Sequence, residues 1–132
     1  MKKSAKEPIF QCSEDDVAAK SPLAAEFLRV RREQNEAVTR ADQPLVKRLY
    51  NLDHNTYLEG ALPAKIKELM GLVASASLRC DDCIYYHVIQ SYRLGATRAE
   101  IEESLNVATV VGGTIVVPHL RRAYQLLEEL YL

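Results

Sequence analysis

Apolar residues recur at helical spacing along most of the chain, and the alternation expected of strands is nearly absent. Ser21-Pro22 reads as a helix start, with serine as N-cap and proline at the first helical position. Leu23, Phe27, Val30, Gln34 and Ala37 then form a stripe in which only Gln34 is polar. Asp42 and Pro44 mark a second start, followed by a short apolar face of Leu45, Val46, Leu49 and Tyr50. NLDHNTYLEG, residues 51–60, predicts an irregular connection with His54 as an exposed loop residue. Pro63 opens the next helix, whose main stripe is Ile66, Leu69, Met70, Val73 and Ser77. Charge stops after Glu68, and GLVASASL predicts a helix buried all round. Its small residues, Gly71, Ala74, Ser75, Ala76 and Ser77, let a neighbour approach closely.

Arg79 to Leu94 predicts a further helix, with Gly95 suited to its left-handed terminus. Thr97-Arg98-Ala99-Glu100 is a capping box that starts another, with Ile101, Leu105, Ala108 and Gly112 on its inner face. Thr114 to Val117 has strand propensity over only four residues; flanked by helices, it predicts a helix kinked or restarted at Pro118. Leu120, Ala123, Tyr124, Leu127 and Tyr131 complete an amphipathic C-terminal helix. The pattern predicts an all-α fold, a compact bundle of five or six helices forming a single domain over 21–132. Residues 1–20 mix Lys, Glu, Asp and Ser without periodicity and predict a mobile N-terminal arm.

Composition changes this picture little. At 132 residues the chain is long enough for one real core, and a net charge of -1 provides no field for nucleic acid or an anionic membrane. No stretch approaches the ~20 apolar residues of a membrane span, and no apolar segment follows Met1-Lys2-Lys3 as in a signal peptide. A soluble cytoplasmic protein is expected, without nucleic-acid or membrane partners. Three cysteines are too few for a disulfide framework, and Cys12 reads as an incidental thiol remote from Cys80 and Cys83.

The chemistry concentrates between Glu68 and His87. Cys80, Cys83 and His87 are spaced by three and four, so on a helix they share an arc of roughly 60°. Thiols at a helix N-terminus gain from its unpaired N–H groups and macrodipole, and Cys-x-x-Cys can drop a thiol pKa well below its free value of roughly 8.5. The two can also close into a disulfide that stores two electrons. His87 can accept a proton from the Cys83 thiol, and Glu68 can orient the imidazole directly or through water. Asp81 and Asp82 oppose a thiolate yet favour the first turn of the helix. Other readings of the same residues stay open. Cysteines and a histidine can be core residues. Zinc can take Cys80, Cys83 and His87, with His119, Asp82 or Cys12 as the fourth ligand. Beside His119, Pro118, Arg121 and Arg122 make a polar patch without an assigned purpose.

Glu68, eleven residues, Cys80-Asp81-Asp82-Cys83, three residues, His87 resembles the signature of alkylhydroperoxidase D-like proteins within the carboxymuconolactone decarboxylase family. LGATRAEIEESLNVA resembles the family's next helix, and the likeness spans roughly residues 60 to 130. The resemblance implies an all-helical alkylhydroperoxidase D-like fold, homo-oligomers (trimers or hexamers) and a peroxiredoxin-type oxidoreductase that needs no cofactor or metal. It implies that Cys83 attacks a small hydroperoxide, His87 is its base, Glu68 relays a proton to His87 through water, and Cys80 resolves the sulfenic acid to a disulfide. A dithiol donor, such as a lipoyl or thioredoxin-like protein, would restore the reduced pair. One position departs from the better-studied hydroperoxidases: Asp82 stands where a histidine precedes their second cysteine. The family's decarboxylase branch generally works without paired cysteines. A lyase acting on a carboxylated lactone, with His87 or His119 as general base, is the alternative activity.

Overall fold

The computed structural model describes residues 5–132. Its elements are α1 (Glu14–Lys20), α2 (Pro22–Ala41), α3 (Pro44–Thr56), α4 (Ala64–Ser77), α5 (Asp81–Arg93), α6 (Arg98–Gly112), a 3-10 turn (Thr114–Val116) and α7 (Val117–Leu130). The fold is all-α, as expected, with seven α-helices among the described residues rather than five or six. Among the described residues the only β pairing is an isolated bridge between Lys6 and Glu59.

The start signals act as the sequence predicts. The Ser21 side chain accepts from the Ala24 N–H with Pro22 in the first turn, and Thr97 and Glu100 close a reciprocal capping box. Gly95 and Gly113 both have positive φ, at 84° and 82°. The second of these breaks the chain between α6 and the 3-10 turn, so the restart falls at Gly113 to Val117 rather than at Pro118.

Two stretches expected to be irregular are helical. Within 1–20, residues 1–4 lie outside the described residues, but Glu14–Lys20 form a helix with their own capping box, Ser13 to Asp16. Val17 is only 1% exposed and belongs to the main core. A single seven-residue helix carries too few apolar positions to show a period, so a lone buried valine among charges resembles an arm. Residues 51–56 of the expected connection continue α3, and its end is tied from outside: Lys67 Nζ donates to the carbonyl of Thr56, the last residue of α3, at 2.9 Å and to that of Leu58 just beyond it at 2.7 Å. His54 therefore sits in the last turn of a helix and pairs with Glu7 at 2.7 Å.

One hydrophobic cluster draws on α1, α2 and α4 to α7. At its centre α4 packs against both α5 and α6. The residues α4 buries are Ala64, Glu68, Leu72, Ser75 and Ala76; of the expected stripe, Leu69 and Val73 are half-buried against the core, while Ile66 and Met70 are exposed. Small side chains face the neighbours because two helices crowd that side; Met70 and Leu78 point outward, 55% and 78% exposed. The helix is thus not buried all round. In α3 no residue is buried, and Leu45 and Leu49 of its predicted apolar face are exposed.

Candidate active site

The turn between α4 and α5 sets the thiols. The Arg79 N–H bonds back to the Ala76 carbonyl at 3.1 Å and the Cys80 N–H to the Ser75 carbonyl at 3.0 Å, a Schellman-type helix ending. Arg79 occupies its left-handed position with φ 63°, a conformation that costs a non-glycine residue about 1 kcal/mol. The reversal places Cys80 as the N-cap of α5, where its sulfur accepts from the Cys83 N–H at 3.4 Å. The helix therefore begins at Asp81, not Arg79, and only Cys83 and His87 lie on it. Cys80 and Cys83 are joined as a disulfide, with Cα atoms 5.3 Å apart.

Because α4 and α5 run antiparallel from this turn, His87 meets Glu68 across the helix pair. His87 Nδ1–H donates to Glu68 Oε2 at 2.7 Å, with both side chains nearly buried. Nδ1 carries the proton because a carboxylate can only accept, so Nε2 is left as the acceptor and potential base. The imidazole is held from three sides. Tyr86 lies edge-on at a centroid distance of 5.3 Å, Tyr57 is tilted against it at 5.4 Å, and Gly71 of α4 lies beneath. A Cβ at position 71 would fall 2.6 Å from His87 Cε1, 2.8 Å from Nε2 and 2.7 Å from the Tyr57 hydroxyl. The small residue expected to admit a neighbouring helix admits the His87 imidazole. Burial, and then the Glu68 charge, push the Tyr86 hydroxyl up to about 12 and raise that of Tyr57, so both remain neutral O–H groups beside the ring.

His87 and Cys83 open together into a cavity of about 340 Å³. Phe27 and Val30 of α2 give it an apolar wall; Arg31, Asp53 and Asp82 are its charged lining. The Arg31 guanidinium lies over the Tyr86 ring, 4.4 Å from its centroid. This volume is at the small end of the range for ligand sites. Behind Tyr86, Glu68 faces a second chamber of about 80 Å³, bounded by Glu7, Pro8 and Phe10 of the N-terminal segment. That is room for a few water molecules next to the carboxylate.

The four predicted site residues, Glu68, Cys80, Cys83 and His87, are brought together. Cys12 is not; its carbonyl instead accepts from the Arg93 guanidinium at 3.1 Å, and burial raises its thiol pKa. The proposed zinc set is not assembled, since the two cysteines bond to each other, His87 is taken by Glu68 and His119 by Asp81. Among the described residues no group of three or more His, Cys, Asp or Glu is arranged to hold a metal ion. Sequence reasoning missed the cavity wall from α2 and Asp53 from α3. The pattern Phe27, Val30, Gln34 was visible as a stripe, but a stripe facing a cavity has the same period as one facing a core. Among the described residues no helix is long and apolar enough to cross a membrane.

An all-helical scaffold carrying a helix-terminal cysteine pair beside a buried histidine–carboxylate couple defines a class of thiol-bearing helical proteins. Residues 43–126 match the model of the carboxymuconolactone decarboxylase family, and the chain belongs to that family. Two solved structures of a Thermotoga maritima protein are similar to it. One has 54% identity and a TM-score of 0.77, covering 80% of this chain and 92% of that one. The other, at 55% identity and a TM-score of 0.76, covers 80% of this chain and 89% of that one; it is described as a carboxymuconolactone decarboxylase family protein with a suggested involvement in antioxidative response. A family member from Legionella pneumophila shares the fold at 24% identity, with a TM-score of 0.61 over 90% of this chain and 97% of that one. An uncharacterized Cupriavidus necator protein is 38% identical over 55 residues, 42% of this chain; the match spans about half (49%) of that relative's length.

Proposed function

We propose that the protein is a thiol-dependent peroxidase that reduces small hydroperoxides through Cys83 and Cys80. The observation that carries this reading is the pairing of Cys80 with Cys83 at the mouth of a cavity that Cys83 shares with His87. In the reduced protein, His87 Nε2 takes the Cys83 proton, and the thiolate attacks the distal peroxide oxygen. The O–O bond breaks, the alcohol leaves with the proton from His87, and Cys83 becomes a sulfenic acid. The Cys80 thiol then displaces water and forms the disulfide. An external dithiol returns both electrons by exchange and is itself oxidised. Glu68 keeps the imidazole in the tautomer this requires and stabilises the imidazolium. A reducing compartment such as the cytoplasm suits a pair that must be re-reduced in each cycle.

The test is hydroperoxide consumption with dithiothreitol or dihydrolipoamide as reductant. Cys83→Ser should abolish turnover, and Cys80→Ser, with the external dithiol left out, should consume one equivalent of hydroperoxide and hold Cys83 as a sulfenic acid with no intramolecular disulfide. Turnover that persists unchanged in Cys83→Ser would sink the reading. Consumption of a carboxylated lactone by a variant lacking both cysteines would instead support the lyase alternative.

The same reading includes self-association, trimeric or hexameric. Its support is the apolar surface on α4, α6 and the 3-10 turn, where Met70, Leu78, Val110, Val111 and Ile115 are all more than half exposed. Multi-angle light scattering should show an oligomer that Val110→Asp dissociates. A monomeric wild type would overturn this part of the proposal.

A further inference from the structure

Asp81 directly follows Cys80, and an unmatched carboxylate there would oppose any thiolate at the start of α5. The fold does not leave it unmatched. His119 of α7 donates its Nδ1–H to Asp81 Oδ1 at 2.7 Å, and the Arg122 guanidinium lies 3.6 Å from Asp81 Oδ2. One turn of α7 thus sets a hydrogen-bond donor against one oxygen of the carboxylate and a guanidinium charge near the other. Its neighbour behaves differently: Asp82 is exposed and lines the cavity with Cys83. The cysteine pair consequently has a histidine–carboxylate couple on each side, His87–Glu68 from α4 and α5, and His119–Asp81 from α7 and α5.

We propose that His119 is a positioning residue for the thiol chemistry. It holds Asp81 against α7 by a hydrogen bond, beside the Arg122 guanidinium whose charge offsets the carboxylate, so that Asp81 opposes the N-terminal field of α5 at the thiols less. It acts through Asp81 and not on the peroxide. The inference rests on the thiol-redox reading above and assigns a purpose to the polar patch of α7. The other charged groups around the thiols are Asp82, the His87–Glu68 couple, Arg79 in the preceding turn, and Arg31 and Asp53 across the cavity. None of these pairs with Asp81 within 4 Å, so their contribution is common to wild type and variants.

A couple whose thiolate is less stable holds its disulfide more firmly and is more reducing. His119→Gln should therefore raise the apparent thiol pKa by about half a unit to one unit. Alkylation by iodoacetamide below that pKa should slow by roughly three- to tenfold, and the midpoint potential should fall by up to about 30 mV, the equivalent of tenfold in the exchange constant. Asp81→Asn should shift both quantities the other way. In the double variant the His119 substitution should have no further effect. Arg122→Gln, at a side chain 64% exposed, should fold normally and move both quantities in the same direction by less.

The experiment is alkylation rate against pH, with the potential measured in dithiothreitol buffers, for the five proteins, alongside thermal unfolding. A lowered Tm with thiol pKa and potential unchanged in both His119→Gln and Arg122→Gln would overturn the proposal, leaving a merely structural tie between α5 and α7. So would a His119 effect that persists in full on the Asp81→Asn background. Wild-type thiols that titrate but never react with hydroperoxide would remove the peroxidase reading, while the differences among variants would still decide the role of His119.

Discussion

Gly71→Ala is the sharpest test of how the imidazole is held. In the middle of a helix the change should stabilise by about 1 kcal/mol, because alanine loses less backbone entropy than glycine. Here the new methyl would stand 2.6 to 2.8 Å from two atoms of the His87 ring and from the Tyr57 hydroxyl. The ring must retreat by about 0.8 Å to reach ordinary van der Waals distance. Tyr86 on one side and the 2.7 Å bond to Glu68 limit where it can go. Overpacking of this kind costs about 1–3 kcal/mol, and a lost bond to a charged partner is of similar size. The steric term wins, and the net expectation is destabilisation of about 1 kcal/mol, or roughly 3–5 °C in Tm. The functional effect should be larger, since displacing a base by this distance can cost about a hundredfold in rate. Urea denaturation and Cys83 alkylation against pH measure the two separately. Gly60→Ala is the control, because its Cβ would meet only Lys67 Nζ at 3.5 Å. If Gly71→Ala were as harmless as that control, or gained the full helix-propensity increment with an unchanged alkylation profile, the packing account of His87 would be wrong.

Val17→Ala should cost about 2 kcal/mol, because the valine is buried in the main core, and a urea midpoint equal to wild type would show that α1 contributes nothing to stability. Glu100 is held below the usual carboxylate range by the Thr97 backbone N–H and then by Lys65. A lowered folded pKa gives stability that is complete above the unfolded value of about 4.3 and is lost as pH falls through the folded one. Glu100→Gln should therefore be less stable than wild type at pH 7 and should converge with it in acid; a gap constant from pH 7 to pH 3 would refute the assignment.

Much of this molecule follows from local sequence. Ser21-Pro22, the Thr97–Glu100 box and Gly95 place helix ends because capping satisfies N–H and carbonyl groups within a few residues. The spacing of Cys83 and His87 likewise puts them on one side of α5, with Cys80 next to them as its N-cap. Tertiary structure decided which face of α4 is inward, because period alone cannot tell Leu72 with its small neighbours from Ile66 and Met70 when both sides are apolar. It decided that α1 belongs to the core, through one valine with no periodic partner. It also gave each half of the Cys80–Cys83 pair its surroundings. Glu68 reaches His87 across nineteen residues of sequence, and His119 reaches Asp81 across 38. No local rule encodes such pairings: they exist only once α4 and α7 have packed on α5, where burial makes an unpaired carboxylate costly and a nearby donor decisive.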